Sequence, residues 1–247
     1  MEKEKISKEK LTPTLTLFES SVSLWWKNLV KFIFVGIWGF IYALIPLAII
    51  SLFVIIVAWQ GDGASLSLEI VSLFIFLVSF LAIIYFMIRG YMGLFLLVKN
   101  NYEGKPLAIF KETKKSVWSY IGLTILTSIF ILLWALLLII PGVIYSIFYS
   151  LAIYVFFFED KKGMAAIRRS KELIKGYWWP VFGRYCFLTL VMWVFGVIIS
   201  IPLSMFKELS LSWHLWNGVM QLFNFLIGPI ALLYSYQIYK DLVKIKK

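Results

Sequence analysis

The sequence predicts an all-α, polytopic membrane protein. Its six transmembrane helices are expected as three hairpins, with interfacial amphipathic helices on the cytoplasmic side. Three observations support this. Of 247 residues, 62% are hydrophobic, 19% aromatic and only 15% charged, against about 25% charged in soluble domains. Apolar runs long enough to cross a bilayer recur along the chain. The basic residues crowd into alternate gaps between those runs.

Residues 1–28 form a charged N-terminal flank in which Glu2, Glu4 and Glu9 mix with lysines. The mixture and the length of the first apolar run argue against a cleavable signal peptide. The first span covers 29–59 and is expected to kink at Pro46, which removes one helical hydrogen bond. A turn-rich gap, 60–65, separates it from a second span over 66–87. Apolar residues continue past Arg89-Gly90 to Val98, and 100–106 (NNYEGKP) breaks the helix. A basic stretch, 107–115, leads to the third span, 117–140.

Pro141-Gly142 follows without a polar loop, and a further apolar run reaches Phe158. One helix over that whole length would be about 60 Å long, twice the hydrocarbon thickness. A hairpin turning at Pro141 and Gly142 returns the chain, and Lys114-Lys115 before it and Lys161-Lys162 after it favour that reading. Pro141 also suits the first turn of the returning helix. A polar segment, 159–176, precedes the fifth span, 178–206. The sixth span covers 214–239, and 240–247 is a basic tail. The domain plan is thus 1–28, a single transmembrane domain over 29–239, and the tail 240–247.

Counting Lys31 and Arg184, just inside the cytoplasmic ends of the first and fifth spans, the N-terminal flank, the second-to-third gap, the fourth-to-fifth gap and the tail hold 6, 6, 7 and 4 basic residues, with 10 acidic residues beside them. The remaining basic residue, Lys207, falls on the other side with Asp62, Glu69 and Glu208. Basic residues in short loops stay cytoplasmic, which places both termini in the cytoplasm. Before the first, third and fifth spans, 15–26, 107–118 and 164–179 read as amphipathic segments ending in tryptophan. In the last of these, Met164, Ile167, Ile174 and Trp178 fall within about 80° of one another. Such segments lie in the membrane interface.

Residues 139–187 also carry a family resemblance. Ile140-Pro141-Gly142, Glu159, Arg169-Ser170, Glu172-Leu173, Gly176, Trp179, Val181 and Phe182 form its pattern, joined by Tyr234-Ser235-Tyr236 and Tyr239-Lys240-Asp241-Leu242. This resembles the membrane domain found beside some bacterial glycerophosphodiester phosphodiesterases, and related stand-alone six-helix inner-membrane proteins. The resemblance implies a fold and a prokaryotic cytoplasmic (inner) membrane location. It does not imply the phosphodiesterase reaction, which belongs to a separate soluble barrel with catalytic histidines and metal-binding carboxylates.

Two groups of residues are candidate sites. Asn217, Gln221, Asn224, Gly228 and Ser235 lie within about 60° on the sixth span. Such a stripe is expected to face the bundle, either as interhelical hydrogen bonds around small Gly228 or as a hydrated path. The former is preferred because no ionisable residue joins it. Arg168, Arg169, Lys171 and Lys175 are placed to hold anionic phospholipid headgroups, at about 1 kcal/mol per basic residue. Arg184, just inside the fifth span, is expected to snorkel to the interface.

No catalytic, cofactor-binding or metal-binding pattern is present. The chain has one histidine, His214, and one cysteine, Cys186, which allow no histidine–metal centre and no intrachain disulfide. Gly36, Gly39, Gly90 and Gly93 form no phosphate loop, and the basic balance is explained by topology without nucleic acid. The expectation is a non-enzymatic protein that organises or binds membrane lipid or a membrane-protein partner. The alternative is a small transporter or lipid flippase using the sixth-span stripe.

Overall fold

A computed structural model describes residues 11–60, 66–206 and 210–246. The basic residues at 3–10, the gap at 61–65 and the Lys207–Glu208 pair lie outside the described residues. Those described are helical, with no strand among them: α1 Thr14–Gln60, α2 Leu66–Lys99, α3 Pro106–Glu112, α4 Val117–Leu137, α5 Ile139–Tyr149, α6 Ala152–Phe158, α7 Gly163–Ile174, α8 Trp178–Ser200 and α9 Leu211–Ile245. Six stretches are long and apolar enough to cross a membrane, with α5 and α6 counting as one. Their outward surfaces, such as Leu52, Phe74, Leu133 and Trp193, are exposed and apolar. A multi-pass integral membrane protein has this character, since lipid rather than protein covers such faces.

The contacts group the described residues into two compact units. One is Val30–Trp118, and the other joins the chain up to Leu29 with that from Ser119 onward. Residues 15–26, expected as a separate amphipathic segment, are continuous with the first span in the 47-residue α1, which carries Pro46 inside it.

In the Val30–Trp118 unit, α1 and α2 run antiparallel through a glycine crossing. A Cβ on Gly39 would sit 2.9 Å from Gly90 Cα, and one on Gly93 would sit 2.8 Å from Val35 Cγ1. Backbones this close require residues without side chains. Tyr42 extends the contact by stacking on Phe86 at 5.5 Å and Phe110 at 5.1 Å. After α2, Asn101, Tyr102 and Gly104 adopt positive φ, and the Tyr102 N–H closes back on the Leu97 carbonyl at 2.8 Å. Lys31 Nζ donates to the Tyr102 carbonyl at 2.8 Å, holding this turn against α1.

In the second unit, α4 and α5 lie antiparallel. Trp134 stacks on Tyr145 at 4.2 Å, and Phe130 meets Tyr149 at 6.3 Å. The chain reverses at Leu138, which is extended at φ −162° and ψ 142°, and not at Pro141-Gly142. Both of those residues lie in the first turn of α5, where a proline forfeits no helical bond. Gly142 is bare because a Cβ there would come within 2.8 Å of Ala135. The fourth apolar run is also two helices, broken between Tyr149 and Ala152.

The core of this unit gathers around α6, α7 and one half of α9. From Pro229 to Leu242 most of α9 is buried, including Leu233, Tyr234 and Ile238, whereas Leu211, Leu215, Val219 and Leu222 are exposed. The start of α1 joins this core. Trp25 Nε1 donates to the Leu226 carbonyl at 2.8 Å, close to Pro229, where the helix lacks a backbone donor. Ser20 donates to Gln237 Oε1 at 2.6 Å, and Gln237 Nε2 donates to Ser21 Oγ at 2.8 Å. The Thr12 N–H donates to Asp241 at 3.1 Å.

Candidate headgroup site on α7

Helical spacing divides α7 into two faces. Ala166, Ile167, Ser170, Leu173 and Ile174 are buried, at i, i+1, i+4, i+7 and i+8, one core-facing side of a helix. Ser170 Oγ donates to the Phe148 carbonyl at 2.7 Å, tying the helix to α5. Met164, Arg168, Lys171 and Lys175 are exposed on the other side. Arg168, Lys171 and Lys175 follow one another at i, i+3 and i+7, so their charges form one row.

The structure separates Arg169 from that row. Its Nε lies 3.1 and 3.3 Å from the two Glu159 carboxylate oxygens, and Nη1 is 3.7 Å from Glu172. Lys161 Nζ reaches Glu159 at 2.9 Å, and the Tyr239 hydroxyl donates to it at 3.3 Å. Asp160 and Gly163, both at positive φ, fold the chain so that Glu159 returns beside α7. Partial burial pushes the Glu159 carboxyl up, but the Lys161 hydrogen bond and the Arg169 charge outweigh it and hold the group below its ordinary value. Arg169 is thereby neutralised. Among the described residues, no carboxylate pairs with Arg168, Lys171 or Lys175.

Three further residues, Tyr145, Phe148 and Lys246, shape the row and were not singled out from sequence. Lys171 Nζ lies 5.1 Å from the Tyr145 ring centroid and 5.9 Å from that of Phe148, within cation–π range. Lys246 Nζ donates to the Glu172 and Lys175 carbonyls at the end of α7, where orphan carbonyls favour a cation. Burial lowers the Lys246 pKa, with Arg169 and Lys175 repulsion adding to it. The basic tail hinted at Lys246; its carbonyl targets were not legible.

Beside the row lies an apolar cleft of about 470 Å³, lined by Ile139, Ile140, Val143, Ile144, Phe148, Trp178 and Trp179. Trp178 Nε1 donates to the Ile144 carbonyl at 3.1 Å, and its ring stacks on Phe182 at 5.0 Å. Trp179 is exposed.

The polar residues of α9 occupy several environments. Asn217 Nδ2 bonds back to the Trp213 carbonyl at 2.9 Å. Gln221, Asn224 and Gly228 are exposed, and nothing lies within 4 Å of where a Gly228 Cβ would stand. Ser235 is buried. The expected bundle-facing stripe is therefore divided, with its middle opening outward.

Arg184 is buried within the protein, and its guanidinium reaches back toward the start of α8, donating to the Pro180 carbonyl at 3.1 Å and to the Thr12 carbonyl. No cluster of metal-ligating side chains occurs among the described residues. No protein-family model, curated protein or solved structure matches the chain.

Proposed function

We propose that this chain is a non-enzymatic, multi-pass protein of a prokaryotic cytoplasmic membrane that holds anionic phospholipid headgroups on its cytoplasmic face. The observation that carries this reading is the Arg168, Lys171, Lys175 row, exposed on one face of α7 with no carboxylate paired to it among the described residues. Cations beside a membrane attract anionic lipid by about 1 kcal/mol each. In the same proposal, the six apolar stretches form three hairpins entered from the cytoplasm, both termini are cytoplasmic, and α7 lies in the interface. The likeness to the phosphodiesterase-associated membrane domain belongs to this proposal too. A path along α9 draws no support from Gln221 and Asn224, which are exposed on the helix surface.

The test replaces Arg168, Lys171 and Lys175 together with glutamine and weighs the lipid that co-purifies, by mass spectrometry from native lipid discs. Loss of phosphatidylglycerol and cardiolipin relative to zwitterionic lipid is expected. An unchanged lipid profile in a folded variant would sink the reading.

A further inference from the structure

Lys171 sets the depth of the α4–α5 pair. Its ammonium stands over the Tyr145 ring, and a lysine ammonium stays at or near the headgroup layer, whatever its stem covers. From Tyr145 to the reversal at Leu138 the helix rises only about 10 Å. The hydrocarbon core is about 30 Å thick. The ammonium lies 5.1 Å from the ring centroid, so the tip reaches at most about 15 Å beyond the charged layer, the depth of one leaflet.

Trp178 gives an independent measure. It begins α8, yet its indole bonds the Ile144 carbonyl, and the tip residues Ile139 and Ile140 share a cleft with Trp178 and Trp179. If α8 starts at the cytoplasmic interface, where tryptophans gather, the tip lies close to that interface. The 21-residue α4 is long enough to cross a bilayer, but Trp134 and Phe130 tie it to α5 at the same level. Length and hydropathy alone therefore overstate the number of crossings.

Resting on the headgroup reading above, we propose that α4 and α5 form a re-entrant hairpin confined to the cytoplasmic leaflet. The cleft between its tip and Trp178-Trp179 takes an acyl chain of the anionic phospholipid whose headgroup lies on Arg168, Lys171 and Lys175. Charge complementarity selects the occupant. The cleft is apolar throughout, one of its walls is Phe148, and Lys171 stands over Phe148. Its volume falls in the roughly 300–1,000 Å³ range of small-molecule sites. Both ends of a re-entrant hairpin remain cytoplasmic, so the charge asymmetry of the sequence is preserved with four crossings.

Two measurements on the full chain test this. In a Cys186→Ser background, Leu138→Cys is treated with a membrane-impermeant maleimide from the outer face of intact cells, with Ser210→Cys as the outward-facing control. The expected result is labelling at 210 and none at 138; labelling of both overturns the re-entrant hairpin. The second measurement counts phosphatidylglycerol retained by native mass spectrometry after reconstitution in mixed phosphatidylglycerol and phosphatidylcholine vesicles. Val143→Trp and, separately, Ile140→Trp fill the cleft while leaving the cationic row intact. Each folded variant should retain at least about tenfold less phosphatidylglycerol, as should the triple glutamine variant. If the tryptophan variants keep their lipid and the triple variant loses it, the cleft proposal falls and the headgroup reading stands. If the triple variant keeps its lipid, the headgroup reading falls and takes the cleft proposal with it.

Discussion

Arg89 and Arg169 hold their guanidinium groups by opposite means. Arg89, in the Val30–Trp118 unit, is 7% exposed. Its Nε donates to Thr113 Oγ1 at 2.9 Å and its Nη2 to the Phe110 carbonyl at 3.0 Å, while its carbon lies 4.4 Å from the Phe110 ring centroid. No carboxylate pairs with it among the described residues. Arg169, in the other unit, is more open and meets two carboxylates, Glu159 and Glu172. The formal ion pair is the weaker of the two attachments. Water competes for Arg169, whereas removing Arg89 takes from the buried Thr113 Oγ1 the donor it accepts from, although the Phe110 carbonyl keeps its bond from the Thr113 hydroxyl at 2.7 Å.

This contrast can be broken in graded steps. Arg89→Ala should have the largest effect, about 3 kcal/mol of stability, because it removes two charge-assisted hydrogen bonds and a desolvated cation–π contact. The loss would be read as a drop in thermal midpoint in detergent; a change below 1 kcal/mol would show that Arg89 is not the clamp between α2 and α3. Arg89→Lys should lose about 1–2 kcal/mol, since an ammonium cannot lie flat on Phe110 while reaching both acceptors. Arg169→Gln should cost less than about 1 kcal/mol by the same assay.

The smallest effect is one of pH. The Glu159 carboxyl is held below its ordinary value of 4.5, so its contribution is fully present above that pH and fades as pH falls through the lower, folded value. A Glu159→Gln variant should therefore differ from the parent above pH 4.5 and converge with it below. A difference that grew on acidification would reverse the sign and refute the pairing.

The apolar helices were legible because hydropathy sums over twenty residues and tolerates local error. The reversal at Leu138 was not, since a leucine carries no turn signal, whereas the adjacent Pro141-Gly142 carries a strong one. The proline is accommodated in a first helical turn, and the glycine answers Ala135 rather than a bend. On α7, the spacing of Arg168, Lys171 and Lys175 was readable. The withdrawal of Arg169 depended on Glu159 returning through a left-handed turn, a three-dimensional fact. Burial of Arg89 needed rings from residues 85, 86 and 110 to converge, which no local window contains. The α9 stripe shows the limit of periodicity: spacing places residues on one face, but neighbours decide whether that face is covered.

The attachment of the first turns of α1 to the end of the chain carries a consequence for biosynthesis. Thr12, Ser20 and Trp25 find their partners in Asp241, Gln237 and Leu226, all translated some 200 residues later. At about 5–20 residues per second, the start of α1 waits roughly 10–40 s without its final contacts. The Val30–Trp118 unit, by contrast, has its glycine crossing and its arginine clamp within one continuous stretch. It can close while the ribosome is still at work, leaving the membrane surface or a chaperone to shelter the start of α1 until the last helix arrives.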